Sequence, residues 1–593
     1  MIAAGVLWYA WPQLGPWPLI LGLAPWAARL VLTGRLFQRS LFDLPLALFV
    51  LTAGVAVWAA YDRQVAWSRF WPIVGGVLLF YALANAQALP RVRVWLLVLL
   101  GAGMALHFLA TREWESSKIG IAALSRIGQV LQAALPSIPG PELNRNEVGG
   151  ILAMLAPFAG WTAVQSWQEI RDCGQARTLA QWLTLVLAWV LLALVLFGLL
   201  MTASRGAWIA LGGALLLALA WIVAGRSGRR SARRRTAVFV GLSLFTFVAV
   251  LVLIVIVSSE VAFIPRALLN TDTWFSRLGF YRNSLTLVHD YPFIGAGLGG
   301  FQMLYSTYAI LVHVGFISHS HNLLLDVAIE QGLPGVLALA WMWFLFAGVM
   351  WHTLLRPAAA QDRPAGSPPL LGIAALSLAT ILIHGLVDNA LYTREGAFLL
   401  FVPLAFAIPI SPEQNTAMKR WRVLSLAICL GLPLALLLAR PRQTLSLAAS
   451  NLGAVHQSQA ELSVYSWPEW PIQDAVRRQV DLSQPIAEFD EALAWDPQNS
   501  TANRRLGMIE LSSGQYEDAL RHLQAAYAVE STSVTTRLLL GEALIVNGYV
   551  GEGQALWAGV NKAQHQLELR VFWYEYIGDE ERAARLRQAT RGQ

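Results

Sequence analysis

The sequence is poor in charge and in cysteine. Only 13% of its 593 residues are Asp, Glu, Lys or Arg, about half the share of an average soluble domain. Hydrophobic residues make up 56%. This balance excludes an ordinary soluble enzyme and points to the bilayer. The 2 cysteines are Cys173, in a polar loop, and Cys429, within an apolar run, so no disulfide framework is implied. No positively charged segment precedes the first apolar stretch, so no cleavable signal peptide is read. Zinc and EF-hand spacings are lacking, as are Walker and dinucleotide fingerprints. No metal or cofactor is expected, and cytoplasmic ATP is not the direct driver. The net charge of +7 is no nucleic-acid signature, because much of it lies in short loops.

Long apolar runs and tryptophan are what the chain has in quantity. The 25 Trp suit bilayer interfaces. A spanning helix needs about 20 mostly apolar residues. Candidate spans are 16–33, 43–60, 71–88, 92–111, 147–166, 178–202, 207–225, 237–257, 334–355, 371–388, 395–410 and 421–439. The expected fold is therefore all-α, a polytopic bundle of about 12 spans. The cluster Arg226, Arg229, Arg230, Arg233, Arg234 and Arg235 is placed in the cytoplasm by the positive-inside rule. With alternating spans, 61–70, 112–146, 203–206, 258–333 and 389–394 then gather on the opposite face. Within 112–146, apolar residues recur at helical spacing, as in an interfacial helix that is either a lid or a guide for a lipid substrate.

The composition turns polar after the last apolar run. The expected division is a membrane domain at 1–440, a linker at 441–483 and a soluble helical domain at 484–593. Leu506-Gly507 recurs as Leu540-Gly541, and Gly514 recurs at the same offset as Gly548. These segments resemble tetratricopeptide repeats. Such repeats usually bind a protein partner; a passive cap on the membrane domain is the other reading.

Polar residues gather on the expected outer face. His321-Asn322 opens a short helical pattern that Gly332 ends, with Pro334 opening the next. A histidine there can serve as a general base or as a cap. His319 makes an HxH pair with it, but no third ligand is evident. Arg205, in a very short loop between two apolar spans, marks an anion site or a snorkelling anchor. Arg277 and Arg282 lie on a further helical segment, where Arg277, Tyr281 and Ser284 fall near one face. A guanidinium fork fits phosphate oxygens. The string Gly295, Gly297, Gly299, Gly300 reads first as a turn that needs glycine, and less readily as an anion cradle. Glu147, His384 and Asp388 sit at the outer ends of spans. Structural pairing would occupy the two carboxylates there; the other reading for Asp388 is the orienting of a histidine or arginine. Cations and a base converging on one face suit a lipid-linked phosphate or diphosphate donor and a hydroxyl to be deprotonated.

At these residues the chain resembles the O-antigen ligase and O-antigen polymerase (Wzy-like) superfamily of bacterial membrane glycosyltransferases. The resemblance spans about residues 70 to 410. It is carried by NRNEVGGILAMLAP, TASRGAW, SRLGFYRNSL with YPFIGAGLGGF, SHSHNLLLDVAIEQGLPG and HGLVDNAL. It implies a GT-C type of multi-pass fold in the bacterial inner membrane and an undecaprenyl-diphosphate-linked glycan donor used outside the cytoplasm. The acceptor it implies is a lipid, a glycan or a protein. By the same resemblance His321 is the base, with His319 beside it. Arg205 and Arg277, with Arg282, hold the donor diphosphate, and Asp388, Glu147 and Asn322 support the site. The transfer is expected to be metal-independent and inverting. A non-enzymatic scaffold does not need Arg205, Arg277 and His321 together, and a transporter would more often place ionisable groups at midplane.

Overall fold

In a bilayer core no water is at hand to satisfy a backbone N–H or C=O, so apolar runs are driven into helices that satisfy their own. A computed structural model describes residues 1–11, 14–37, 39–114, 122–134, 142–172, 178–227, 241, 272–313, 315, 317–355, 367–408, 423–465, 469–558, 560 and 564–590. Among the described residues it is helical, with no β-strand. Among the described residues, six helices are long and apolar enough to cross a membrane: Arg63–Asn85, Pro90–Thr111, Arg145–Arg171, Leu179–Met201, Arg205–Ala224 and Leu323–Trp351; they are seven if the bent pair Val423–Ala439 and Pro441–Leu462 forms one span. Three more apolar helices are shorter, at Asp43–Ala59, Leu370–Gly385 and Ala397–Phe406. The protein is a multi-pass membrane protein.

Among the described residues, some of the expected apolar runs are shorter than a full span. Residues 395–410, one of the expected spans, hold two short 3₁₀ segments, Ala397–Leu399 and Pro403–Phe406. Pro403, at the start of the second, cannot donate to a preceding helical turn. Ala397–Leu399 and Pro403, Leu404 and Ala405 are buried inside the bundle, and burial against protein selects apolar side chains as strongly as lipid does. The expected span at 237–257 lies outside the described residues apart from Gly241, as do the basic stretches at 229–235 and 419–422.

Helix Arg145–Arg171 is the hub. Its apolar window is 78% buried, against 28% for Leu179–Met201. It packs on Pro90–Thr111, Leu179–Met201, Arg205–Ser227 and Ser367–Gly385. Leu179, Leu183 and Val186 on the neighbouring helix stay exposed and form the lipid face. Farther along, the long helix Leu323–Leu355 breaks at Gly332, whose φ is +71°. A side chain there would meet the Phe293 carbonyl oxygen at 2.6 Å. The short helix therefore ends where the sequence pattern places its end, and Pro334 begins the next segment.

The C-terminal part is a stack of helical hairpins. Helices Ser500–Ser513 and Tyr516–Val529 form one hairpin, and Val534–Val546 and Val550–Ala558 repeat it at the offset of the sequence repeat. Asn499 and Ser533 cap the first helix of each through N–H groups of Ala502 and Thr536. Gly507 lies against Leu523 and Gly541 against Trp557, so the small residues of the repeat sit where paired helices touch. Most of 441–483 is itself helical, in Pro441–Leu462 and Gln473–Gln479.

Candidate functional site

The site begins with a backbone turn. Asn322 caps helix Leu323–Leu355: its Oδ1 accepts the N–H groups of Leu324 and Leu325 at 3.0 and 3.1 Å. The Ser320 N–H donates to Asp326 Oδ1 at 2.8 Å, and Ser320 Oγ accepts the Asn322 N–H at 3.2 Å. Held from both sides, His321 adopts φ +58°. A non-glycine residue in that region is uncommon and is retained where its surroundings over-determine it. Tyr281, on helix Asp272–Asp290, adds a further hold. Its hydroxyl lies 3.1 Å from the His321 carbonyl oxygen and 2.8 Å from that of Leu386.

This turn brings the His319 and His321 rings to 4.2 Å between centroids. Asp388 stands between them. Its Oδ1 is 3.8 Å from His319 Nε2 and its Oδ2 is 3.8 Å from His321 Nδ1. Both separations are longer than direct hydrogen bonds. Burial alone would raise the Asp388 carboxyl, which is 3% exposed. The contact with His321 and the positive fields of His384, His319 and His321 outweigh burial and hold it at about 2. Asp388 is therefore an ionised carboxylate aimed at two imidazoles. His319 and His321 differ in their other nitrogen. His319 Nδ1 lies 2.8 Å from Ser318 Oγ, whereas His321 Nε2 makes no hydrogen bond among the described residues.

A second turn supplies positive charge. Ala203 has φ +50°, and Arg205 opens helix Arg205–Ser227 just after it. Close approach of three segments is possible because their contact residues are glycines. A side chain on Gly150 would meet Ala390 Cβ at 2.6 Å and His384 Cε1 at 2.7 Å. One on Gly206 would meet Val387 at 2.9 Å, and one on Gly149 would meet Ser204 at 2.8 Å. The sequence segments NEVGG, SRG and HGLVDNA thus close on one another. Arg145, at the start of the hub helix, lies in the field of Arg112 and Arg205. Glu147, in the first turn of the same helix, faces Thr393 and the fields of Glu395, Asp388 and Arg69.

The structure brings together His319, His321, Asn322, Asp388, Arg205 and Glu147. Arg277 lies on helix Asp272–Asp290, with its side chain outside the described residues. Arg282 turns elsewhere, and its Nη2 donates to the Thr532 carbonyl of the C-terminal domain at 2.9 Å. The glycine string is a turn. The amides of Ala296, Gly297 and Gly299 donate to Ile329 O, Glu330 O and Glu330 Oε1. The third partner that the HxH pair lacked in sequence is Asp388: ligand atoms of His319, His321 and Asp388 lie within 4.8 Å of one another, close enough to hold a metal ion. Sequence reasoning did not single out Tyr281 as a hold on His321, nor did it find Arg112 or Asp326. For Tyr281 the one signal was its place on the same helical face as Arg277.

These features define a multi-pass helical membrane protein with a histidine–carboxylate cluster near the turn that opens on Arg205. Residues 190–340 match the family described as O-antigen ligase. This match, over about a quarter of the chain, supports the likeness to the O-antigen ligase and Wzy-like superfamily of membrane ligases and polymerases. The matched segment contains Arg205, Arg277, Arg282, His319, His321 and Asn322; Glu147 and Asp388 lie outside it. No curated protein and no solved structure matches the chain.

Proposed function

We propose that the protein is an extracytoplasmic glycosyltransferase of the bacterial cytoplasmic membrane. It moves a glycan from an undecaprenyl-diphosphate-linked donor to an acceptor hydroxyl. The observation that supports this most is the pair of imidazoles on one ionised carboxylate, next to the turn that opens on Arg205. Asp388 keeps the proton of His321 on Nδ1 and leaves Nε2 to take the proton of the acceptor. The acceptor oxygen forms its bond to the anomeric carbon as the bond from that carbon to the diphosphate oxygen breaks. The leaving diphosphate keeps the electron pair. Arg205 and Arg277 offset its charge, and Arg112 and Arg145 add to the positive field. One in-line displacement inverts the anomeric centre, and no metal takes part. His319, with both ring nitrogens facing protein groups, orients Asp388 and His321.

The test is product formation by purified protein given a lipid-linked oligosaccharide and three acceptors separately: lipid A-core, a second lipid-linked unit and a protein. Glycan transfer to one of them, with inverted configuration, supports the reading and names the acceptor. Hydrolysis of the donor at the same rate with and without every acceptor would overturn it.

A further inference from the structure

Helix Asp272–Asp290 touches the histidine turn at its middle and the C-terminal domain at its end. Asp290 is fully buried, and so are the two guanidiniums that meet it. Arg505 donates to Asp290 Oδ2 through Nη2 at 2.7 Å and through Nε at 3.1 Å. Arg504 donates to Oδ1, which also accepts the Thr501 hydroxyl at 2.9 Å. Burial works against the charge of Asp290, but Arg504 and Arg505 hold its carboxyl below the usual carboxylate range. Buried ions are tolerated only when paired and hydrogen-bonded in this way, and removing one partner leaves a costly uncompensated charge.

The contact extends past Asp290. Asn451 Oδ1 accepts the N–H groups of both Phe293 and Ile294 at 3.0 Å. The Arg505 guanidinium lies 3.7 Å over the Tyr308 ring, and Tyr308 donates to Glu461 at 3.1 Å. Thr535 donates to the Ala309 carbonyl at 2.6 Å. Every residue from Ser500 to Ser512 is buried. Helix Ser500–Ser513 is thus enclosed by its neighbouring helices together with this chain's own 290–311 segment. From that segment two routes lead to the histidines. Helix Asp272–Asp290 carries Tyr281 to the His321 carbonyl. The turn after it bonds to the Gly332 break, through Leu333 N–H to Pro292 O at 2.8 Å, in the helix that Asn322 caps.

We propose that the C-terminal domain is a positioning element of the transfer site, with the Asp290–Arg504–Arg505 cluster fixing helix Asp272–Asp290 so that Tyr281 holds His321 in its left-handed conformation. This rests on the transferase reading given above. Asp290 lies nine residues from Tyr281, about 13 Å along the helix, so it is a positioning residue and touches no reacting atom. Tyr281 acts on the backbone of His321 rather than on its ring.

Full-length protein in nanodiscs tests this by hydrogen exchange and by turnover of lipid-linked donor, comparing wild type, Asp290→Asn, Tyr281→Phe and the double variant. Amide exchange at 318–323 is expected to rise in Asp290→Asn and at the same amides in Tyr281→Phe. Turnover is expected to fall about tenfold in each, with KM changed less than about twofold. The double variant should lose no more than the worse single one, because both act through one contact. Thr535→Ala should raise exchange near 305–313 alone. If Asp290→Asn fails to fold, Thr501→Val, which removes one hydrogen bond to the same carboxylate, carries the same comparison. Exchange that rises only at 286–294, or losses that multiply in the double variant, would overturn the proposal and leave the cluster as an anchor. Absence of turnover in wild type would count against the transferase reading, while the exchange pattern would still decide the coupling.

Discussion

Gly150 is the sharpest test of how the site is closed. It lies on the hub helix against the turn that carries Asp388. A methyl group there would stand 2.6 Å from Ala390 Cβ and 2.7 Å from His384 Cε1, where ordinary contact begins at 3.4 Å. The 384–390 turn must therefore retreat by about 0.8 Å, and overpacking of this size costs about 1–3 kcal/mol. Asp388 moves with the turn. A misplacement near 1 Å at a reacting centre costs up to about a hundredfold in rate. Gly150→Ala should thus lower the unfolding temperature and reduce donor turnover by tens-fold or more, with the protein still inserted and folded. Gly160, on the same helix, has no neighbour within 4 Å of the added carbon. Gly160→Ala should leave turnover unchanged and be neutral or stabilising by up to about 1 kcal/mol from helix propensity. Thermal unfolding in detergent beside a donor-release assay reads both quantities. Wild-type turnover and stability in Gly150→Ala would refute the close packing of these segments and the route by which Asp388 is placed.

Asp388 is ionised in the folded protein well into the acid range, at about 2 against an ordinary 3.8. Its depressed value contributes stability that is present above pH about 4 and lost as pH falls through about 2, of the order of 2 kcal/mol; Asp388→Asn should flatten the unfolding temperature across that window. Arg205→Ala should cut turnover by about 10²–10³-fold, as loss of a charged donor at a developing anion does, and Arg205→Lys should recover only part of it because the fork is lost. Treatment with a chelator should leave turnover intact. A loss restored by added Zn²⁺ would instead make His319, His321 and Asp388 a metal site.

The membrane class was legible because apolar runs of spanning length, repeated along a chain, are hard to bury in any other solvent than lipid. The form of the run at 397–406 was not, since hydropathy cannot separate a helix in lipid from 3₁₀ segments such as Pro403–Phe406 packed inside protein. The end of the short helix at Gly332 was legible from local chemistry: glycine and then proline at that spacing leave little else. Asp388 was legible as an orienting group, but not as the partner of two histidines at once, because an entire long helix and the one after it separate it from His321. Arg282 shows the same limit. Its chemistry suits a phosphate, yet its partner is a carbonyl 250 residues away. Nothing in the sequence marks Arg504 and Arg505 as buried residues. Only docking against Asp290 explains why both are buried.

Release of undecaprenyl diphosphate from a lipid-linked oligosaccharide by the purified full-length protein, wild type beside His321→Ala, bears most directly on the chemistry. Wild type should release it in the presence of acceptor, and His321→Ala should fall by about 10²–10⁴-fold, the contribution of a positioned base. Equal release by the two proteins would contradict the assignment of His321 as the base.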